Sequence, residues 1–69
     1  MMVDARGYSC PIPVIMVQKA VKDGPDKLEV LVDNQTAVGN VTRFANNSGY
    51  DVAVKELEDD EFSLVLTKR

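Results

Sequence analysis

The sequence predicts an α/β (α+β) fold, a two-layer sandwich with the element order β-α-β-α-β-β. Apolar residues alternate along four short segments, which is typical of strands with one buried face. Two longer segments between them carry apolar residues at helical spacing. The last two strands have no helix between them and form a hairpin, whereas right-handed crossovers place both helices on one face of the sheet. A ferredoxin-like split βαβ fold is the alternative, but it would need a strand after the second helix and a different strand count.

The first half of the chain contains a short strand and a helix. Residues 2–5 are the candidate strand, with Val3 and Ala5 on one side. Helical spacing begins at Pro11, and Gly24 and Pro25 provide the expected stop signal. The predicted core face of this helix consists of Val14, Met16, Val17, Ala20 and Val21.

The second half contains three strands and one helix. Residues 27–33 alternate, and the second helix runs from Gln35 or Thr36 to Ser48, with Asp33 or Asn34 as its N-cap and Gly49 as a left-handed stop. Residues 50–57 and 62–66 alternate again and are joined by a turn over residues 58–60. We interpret the acidic run around this turn as a solvated hairpin tip; its members are Glu56, Glu58, Asp59, Asp60 and Glu61. In the second helix the predicted core stripe is Ala37, Val38, Val41, Phe44 and Ala45, and the outer face is Asn40, Arg43, Asn46 and Asn47.

The composition of the chain excludes several classes of protein function. The 69 residues suffice for a single domain, 1–69, which we expect to be a monomer. We expect a reducing, cytoplasmic compartment, since the chain has one cysteine, no basic leader and no apolar run of membrane-spanning length. The net charge of −3 and the absence of a basic stripe argue against direct nucleic-acid binding. One cysteine and no histidine exclude an internal disulfide, a Cys-His catalytic pair and a Cys-x-x-Cys redox pair, and they leave too few soft ligands for a zinc site. We therefore expect no metal and no cofactor.

The candidate catalytic residue is Cys10, in the stretch "GYSCPIP". Pro11 suits the first helical position, and Pro13 removes a second amide, so the free amides of the first turn are chiefly those of Ile12 and Val14. These amides and the helix dipole would lower the pKa of the thiol and favour the thiolate. Such a thiolate could carry a group from one protein to another, and sulfur, held as a persulfide, is the natural cargo. The alternatives are a buried core cysteine, a redox sensor that forms a mixed disulfide, and an interaction module with a vestigial cysteine.

The stretch "DARGYSCPIPVIMVQKA" resembles the Asp-x-x-Gly-x-x-Cys-Pro-x-Pro signature of the TusA/SirA-like sulfur carrier proteins, and the similarity extends over essentially the whole chain. The resemblance implies a four-stranded mixed sheet and sulfur relay through Cys10 between a donor, of the cysteine desulfurase or rhodanese type, and an acceptor protein. The segment "TAVGNVTRFANNSGYDV" is most similar to the N-terminal domain of YedF-type proteins. This implies a link to selenium metabolism and leaves open whether a second domain follows in the native chain. Two residues depart from the family pattern. Tyr8 stands where the family often has leucine, and Ile12 stands where some carriers have a polar residue.

The resemblance assigns supporting roles to Asp4, Gly7, Pro11 and Pro13. We expect Asp4 to accept hydrogen bonds from the loop backbone and Gly7 to adopt a positive φ, while Arg6, the nearest cation in sequence, is interpreted as a solvated side chain. On the helical wheel, Ile15 lies opposite the core stripe and Ile12 at its edge, both within about one turn of Cys10. The predicted partner-binding residues, which we name the docking collar, are Ile12, Ile15, Lys19 and Lys22.

Overall fold

The computed structural model describes residues 2–9 and 11–69, and these residues form the predicted two-layer sandwich. The order β-α-β-α-β-β is confirmed, and each predicted boundary agrees with the structure to within one or two residues. The elements are β1 (Met2–Asp4), α1 (Ile12–Val21), β2 (Lys27–Val32), α2 (Gln35–Asn47), β3 (Tyr50–Glu56) and β4 (Phe62–Lys68).

The four strands form one mixed sheet in the spatial order β1-β2-β4-β3. β1 is parallel to β2, and Val3 lies opposite Val30. β4 is antiparallel to both of its neighbours, β2 and β3. Because β1 and β2 are parallel neighbours, their carboxyl ends meet at one edge of the sheet, and the segments that lead into α1 and α2 leave from that edge.

Both helices cover the same face of the sheet, and the core lies between the two layers. Alternate residues of the central strands point into it, as the sequence predicted, and each fully buried aliphatic side chain contributes about 1.5–3 kcal/mol of transfer free energy. The predicted helical stripes face the same core, whereas Val54 of the edge strand β3 is exposed. The fully buried aliphatic residues of the strands and helices include Leu28, Val30, Val32, Leu64, Leu66, Val17 and Val41.

The ends of α2 follow from local hydrogen bonding. Asn34 is the N-cap, because its side-chain oxygen accepts a 2.7 Å hydrogen bond from the amide of Ala37. Gly49 follows the helix with a φ of +87°, the left-handed conformation predicted for it. Neither helix, among the residues described, has the length and apolar content needed to cross a membrane.

The turn between β3 and β4 is acidic and exposed, as predicted for a hairpin tip. Asp59 and Asp60 adopt left-handed φ values of 58° and 60°, which aspartate tolerates better than most residues. The amide of Leu57 donates to the carbonyl of Glu61 at 2.7 Å and closes the turn. Glu61 is half-buried and contacts the cysteine-containing loop, so it does not belong to the solvated tip.

Candidate functional site

Cys10 lies outside the described residues, so the structure defines the site through the residues on both sides of it. The predicted accessibility of the thiol therefore stays a prediction. What the structure does describe is the loop over residues 5–9, the start of α1, and two acidic side chains that contact this loop from other parts of the chain.

The loop before Cys10 is attached to the neighbouring strand by its backbone. The amide of Ala5 donates to the carbonyl of Leu31 at 2.8 Å and extends the parallel pairing of β1 with β2. Gly7 has a φ of +84°, which confirms the predicted positive φ, and its amide donates to Asp33 Oδ2 at 2.7 Å. A glycine is favoured here because other residues are strained in this conformation. The loop thus has a fixed point three residues before the cysteine.

Asp4 and Arg6 form a second attachment. Asp4 Oδ1 accepts hydrogen bonds from both the backbone amide and the Nε of Arg6, so the predicted backbone role of Asp4 is confirmed. The guanidinium also contacts Asp4 Oδ2 at 2.8 Å and Glu61 Oε1 at 3.2 Å. Hydrogen bonding to Arg6 lowers the pKa of Asp4 to about 2, and the Arg6 pKa is raised by its two carboxylate partners.

Arg6 is exposed, as expected for a solvated side chain, but its guanidinium is also paired with two carboxylates. The guanidinium joins the loop to the turn that precedes β4, through Glu61, and its donors are directed at two carboxylates. Since these contacts occupy the Nε and both terminal nitrogens, Arg6 acts mainly as a structural link across the sheet edge.

The start of α1 differs from the prediction by one residue. Pro11 occupies the N-cap rather than the first helical position, and the helix begins at Ile12. The amide of Ile12 was predicted to be free, but it donates to the carbonyl of Ser9 at 2.9 Å. The roles predicted for the amide of Val14 and for the helix dipole depend on Cys10, which lies outside the described residues, and stay predictions.

Pro13 also packs in the core, which the Pro-x-Pro spacing did not predict. It is among the largest fully buried side chains of the protein, whereas Pro11 is exposed. The two prolines of the motif therefore differ physically, because one packs in the core and the other lies at the surface next to Cys10.

The docking collar lies on the surface, as predicted from the helical wheel. Ile12 and Ile15 are 39% and 38% exposed. Lys19 and Lys22 are exposed as well, and within residues 2–9 and 11–69 neither takes part in an ion pair. The exposed side chains of Ile12 and Ile15 thus make the surface at the start of α1 apolar, whereas Lys19 lies in the last turn of the helix and Lys22 is its C-cap.

Two depressions mark opposite sides of the molecule. The first, on the sheet face that the helices leave uncovered, is lined by Lys27, Glu29, Lys55, Ser63 and Val65, and Ser63 Oγ donates to Glu29 Oε2 at 2.8 Å inside it. The second, which we name the interhelical groove, has a volume of about 370 Å³ and begins beside the cysteine motif. The residues that line the interhelical groove are Pro11, Val14, Asn40, Arg43, Phe44 and Asn47.

Two acidic residues that contact the loop were not identified as site residues from the sequence. Asp33 was considered only as an N-cap, and Glu61 only as part of the acidic run. The position of Asp33 could have been anticipated, because it directly follows β2, and the carboxyl ends of the parallel strands β1 and β2 meet at one edge. No local pattern indicates the contact of Glu61, since 55 residues separate it from Arg6.

Comparisons with known proteins agree with this fold. The family described as sulfurtransferase TusA matches residues 1–68. A candidate sulfur carrier protein of Methanocaldococcus jannaschii is 37% identical over 67 residues, which cover 94% of this chain and 89% of that protein. The crystal structure of the SirA-like protein from Desulfitobacterium hafniense superposes with a TM-score of 0.87 at 32% identity, covering 96% of this chain and 93% of that one.

Proposed function

Because this chain belongs to the sulfurtransferase TusA family, we propose that it carries sulfur as a persulfide on Cys10 and relays it between partner proteins. The motif supports this role because Cys10, the single cysteine of the chain, directly precedes in sequence Pro11, the N-cap of α1. The observation that carries the proposal is the attachment of the loop before Cys10 on two sides, through Gly7 to Asp33 and through Arg6 to Glu61. These contacts hold the segment on the amino side of the thiol in a defined position.

The relay consists of two exchange steps without net oxidation. The Cys10 thiolate attacks the outer sulfur of a persulfide on the donor protein, so a new S–S bond forms and the donor cysteine leaves as a thiolate. A nucleophile of the acceptor then attacks the terminal sulfur on Cys10, and the Cys10 thiolate leaves. The dipole of α1 favours the thiolate in both steps, as the attacking group and as the leaving group.

The partners are a sulfur-donor protein, of the cysteine desulfurase or rhodanese type, and an acceptor protein. Both must bring their reacting atoms to Cys10, so an apolar surface close to the thiol suits docking. Ile12 and Ile15 of the docking collar have this character, since both are exposed within about a turn of Cys10, and Lys19 and Lys22 extend the same surface toward the other end of α1. Transient interfaces of this kind are small and depend on a few anchor residues.

The test is the loading of the purified protein with sulfur. After incubation with a cysteine desulfurase and L-cysteine, intact mass should increase by one sulfur atom, and a reductant should reverse the increase. Cys10→Ser removes the one thiol in the chain, so it should keep the fold, judged by circular dichroism, and take up no sulfur. Reversible addition of sulfur to the Cys10→Ser protein, or none to the wild type with either a desulfurase or a rhodanese, would contradict the proposal.

The same exchange could carry selenium, as implied by the similarity to YedF-type proteins. A selenium adduct on Cys10 has a different mass and isotope pattern from a persulfide. Competition between a donor protein that carries a persulfide and one that carries a selenopersulfide, in which the donor cysteine leaves as a thiolate in either case, is read by intact mass and therefore identifies the preferred cargo. A free thiol acting in this way suits a reducing compartment such as the cytoplasm.

A further inference from the structure

The charges of this protein are separated between its two layers. The chain as a whole has a net charge of −3, yet α1 and α2 together contain two cationic residues, Lys19 and Arg43, and no acidic residue. Lys22 directly follows α1 and adds a third cation. The strands, loops and turns therefore carry all the acidic side chains, and the helical layer is locally basic.

The cations of the helical layer have no charged partner within the part of the chain that the structure describes. The ion pairs there join Arg6 to Asp4 and Glu61, and Arg69 to Asp51. Lys19, Lys22 and Arg43 are exposed and take part in none of them. Their charge is thus available to a binding partner.

The interhelical groove brings one of these cations into the same depression as the cysteine motif. Arg43 and Asn47 of α2 line it together with Pro11, the residue that follows Cys10. Val14 and Phe44 are half-buried and form its apolar part. Its volume, about 370 Å³, lies near the small end of the range of ligand pockets, roughly 300–1,000 Å³, and suits one or two inserted side chains.

We infer that the interhelical groove docks an acidic segment of a partner protein, in which an apolar side chain inserts against Val14 and Phe44 while a carboxylate pairs with Arg43. Charge complementarity selects this occupant, since a basic segment would meet unpaired cations. This inference rests on the proposed function and adds to it the chemistry of the partner and a contact surface on α2. The docking collar and the interhelical groove would then lie on either side of Pro11.

Disulfide capture tests the inference with two defined peptides. One is acetyl-Cys-Gly-Leu-Glu-Glu-amide, and the other has two lysines in place of the two glutamates. Each is supplied as its symmetrical disulfide. The Cys10 thiolate attacks one sulfur, a mixed disulfide forms and one peptide thiol leaves, so the equilibrium constant of this exchange can be read by mass spectrometry at fixed thiol and disulfide concentrations.

The net charge of the protein and the local charge of the groove predict opposite preferences between the two peptides. At low ionic strength the net charge of −3 alone would favour the basic peptide. A cationic groove beside Cys10 favours the acidic one, by roughly three- to tenfold, the range that one or two exposed ion pairs supply. Arg43→Glu should abolish or reverse this preference. The matched control Lys55→Glu makes the same charge change on the uncovered sheet face and should keep the preference.

Several outcomes would overturn the inference. A preference for the basic peptide, equal capture of both peptides, or the same response to Arg43→Glu and Lys55→Glu would each exclude an acidic partner in this groove. If Cys10 reacts with glutathione disulfide and accepts sulfur but does not discriminate between the peptides, the proposed function stands and this inference fails. If the thiol reacts with none of these reagents, the proposed function and this inference both fail.

Discussion

At the scale of single residues, the two prolines of the motif have different physical roles. Pro11 is exposed at the N-cap of α1, whereas Pro13 is fully buried in the core. Their spacing in the sequence indicates only that both suit the start of a helix. Burial of the second one depends on the sheet beneath it, which no local pattern describes.

We predict that Pro13→Ala and Pro11→Ala differ in their effect on stability. Pro13→Ala removes about two buried methylene groups and the restraint of the ring, so the free energy of unfolding should fall by about 2–3 kcal/mol. Pro11→Ala leaves no cavity and should lower it by at most about 1 kcal/mol. Urea unfolding of both variants measures this, and equal losses would show that the ring of Pro13 contributes no packing energy.

At the scale of elements, the structure shows which parts of the fold a sequence pattern can determine. The six elements and their order follow from alternating or helical spacing of apolar residues, and Gly49 identifies the end of α2. The start of α1 was misplaced by one residue, because Pro11 fits the N-cap as well as the first helical position. The amide of Ile12 was wrongly expected to be free, since its acceptor is a backbone carbonyl, at Ser9, that any residue could supply.

α2 offers a matched pair of glycine substitutions. A Cβ added at Gly39, inside the helix, or at Gly49, after it, would meet no atom within 4 Å. The two positions differ in backbone conformation, because only Gly49 has a positive φ, +87°. We therefore expect Gly39→Ala to raise the free energy of unfolding by about 0.5–1 kcal/mol, and Gly49→Ala to lower it by about 1–2 kcal/mol. Thermal unfolding of the two variants provides the measurement, and shifts of the same sign would contradict this account.

At the scale of the whole molecule, the contacts that position the candidate site come from distant parts of the chain. Asp33 follows β2 and Glu61 precedes β4, yet both reach the loop before Cys10. The sequence identified the motif itself, including Asp4 and Gly7, because its residues are close together in the chain. It could not identify the contact between Arg6 and Glu61, since that contact depends on the order of the strands in the sheet.

This network predicts a dependence of stability on pH. Arg6 holds the pKa of Asp4 near 2, below its usual value of about 3.8, so the folded state favours the ionised carboxylate. Because both side chains are exposed, solvent screening keeps its contribution to stability small. That contribution is fully present above about pH 5 and is lost progressively as the pH falls to about 2. In Arg6→Gln, the Asp4 carboxyl should titrate near its usual pKa in NMR spectra, and this part of the acid sensitivity should disappear. The control Arg69→Gln removes a cation that pairs with Asp51, and it should leave the Asp4 titration unchanged.

The last prediction concerns the surface that the whole molecule presents to its partners. Ile15 in the docking collar and Val54 in the edge strand β3 are both exposed apolar residues, at 38% and 50%. Replacing either by aspartate should change the free energy of unfolding by about 1 kcal/mol or less, since neither side chain lies in the core. Only Ile15→Asp should slow sulfur transfer from a cysteine desulfurase, because a charge near Cys10 must be desolvated on docking. Transfer rates of the two variants, read by intact mass, test this. Equal rates would mean that partners do not contact the docking collar, and equal slowing would mean that the loss reflects destabilisation rather than docking.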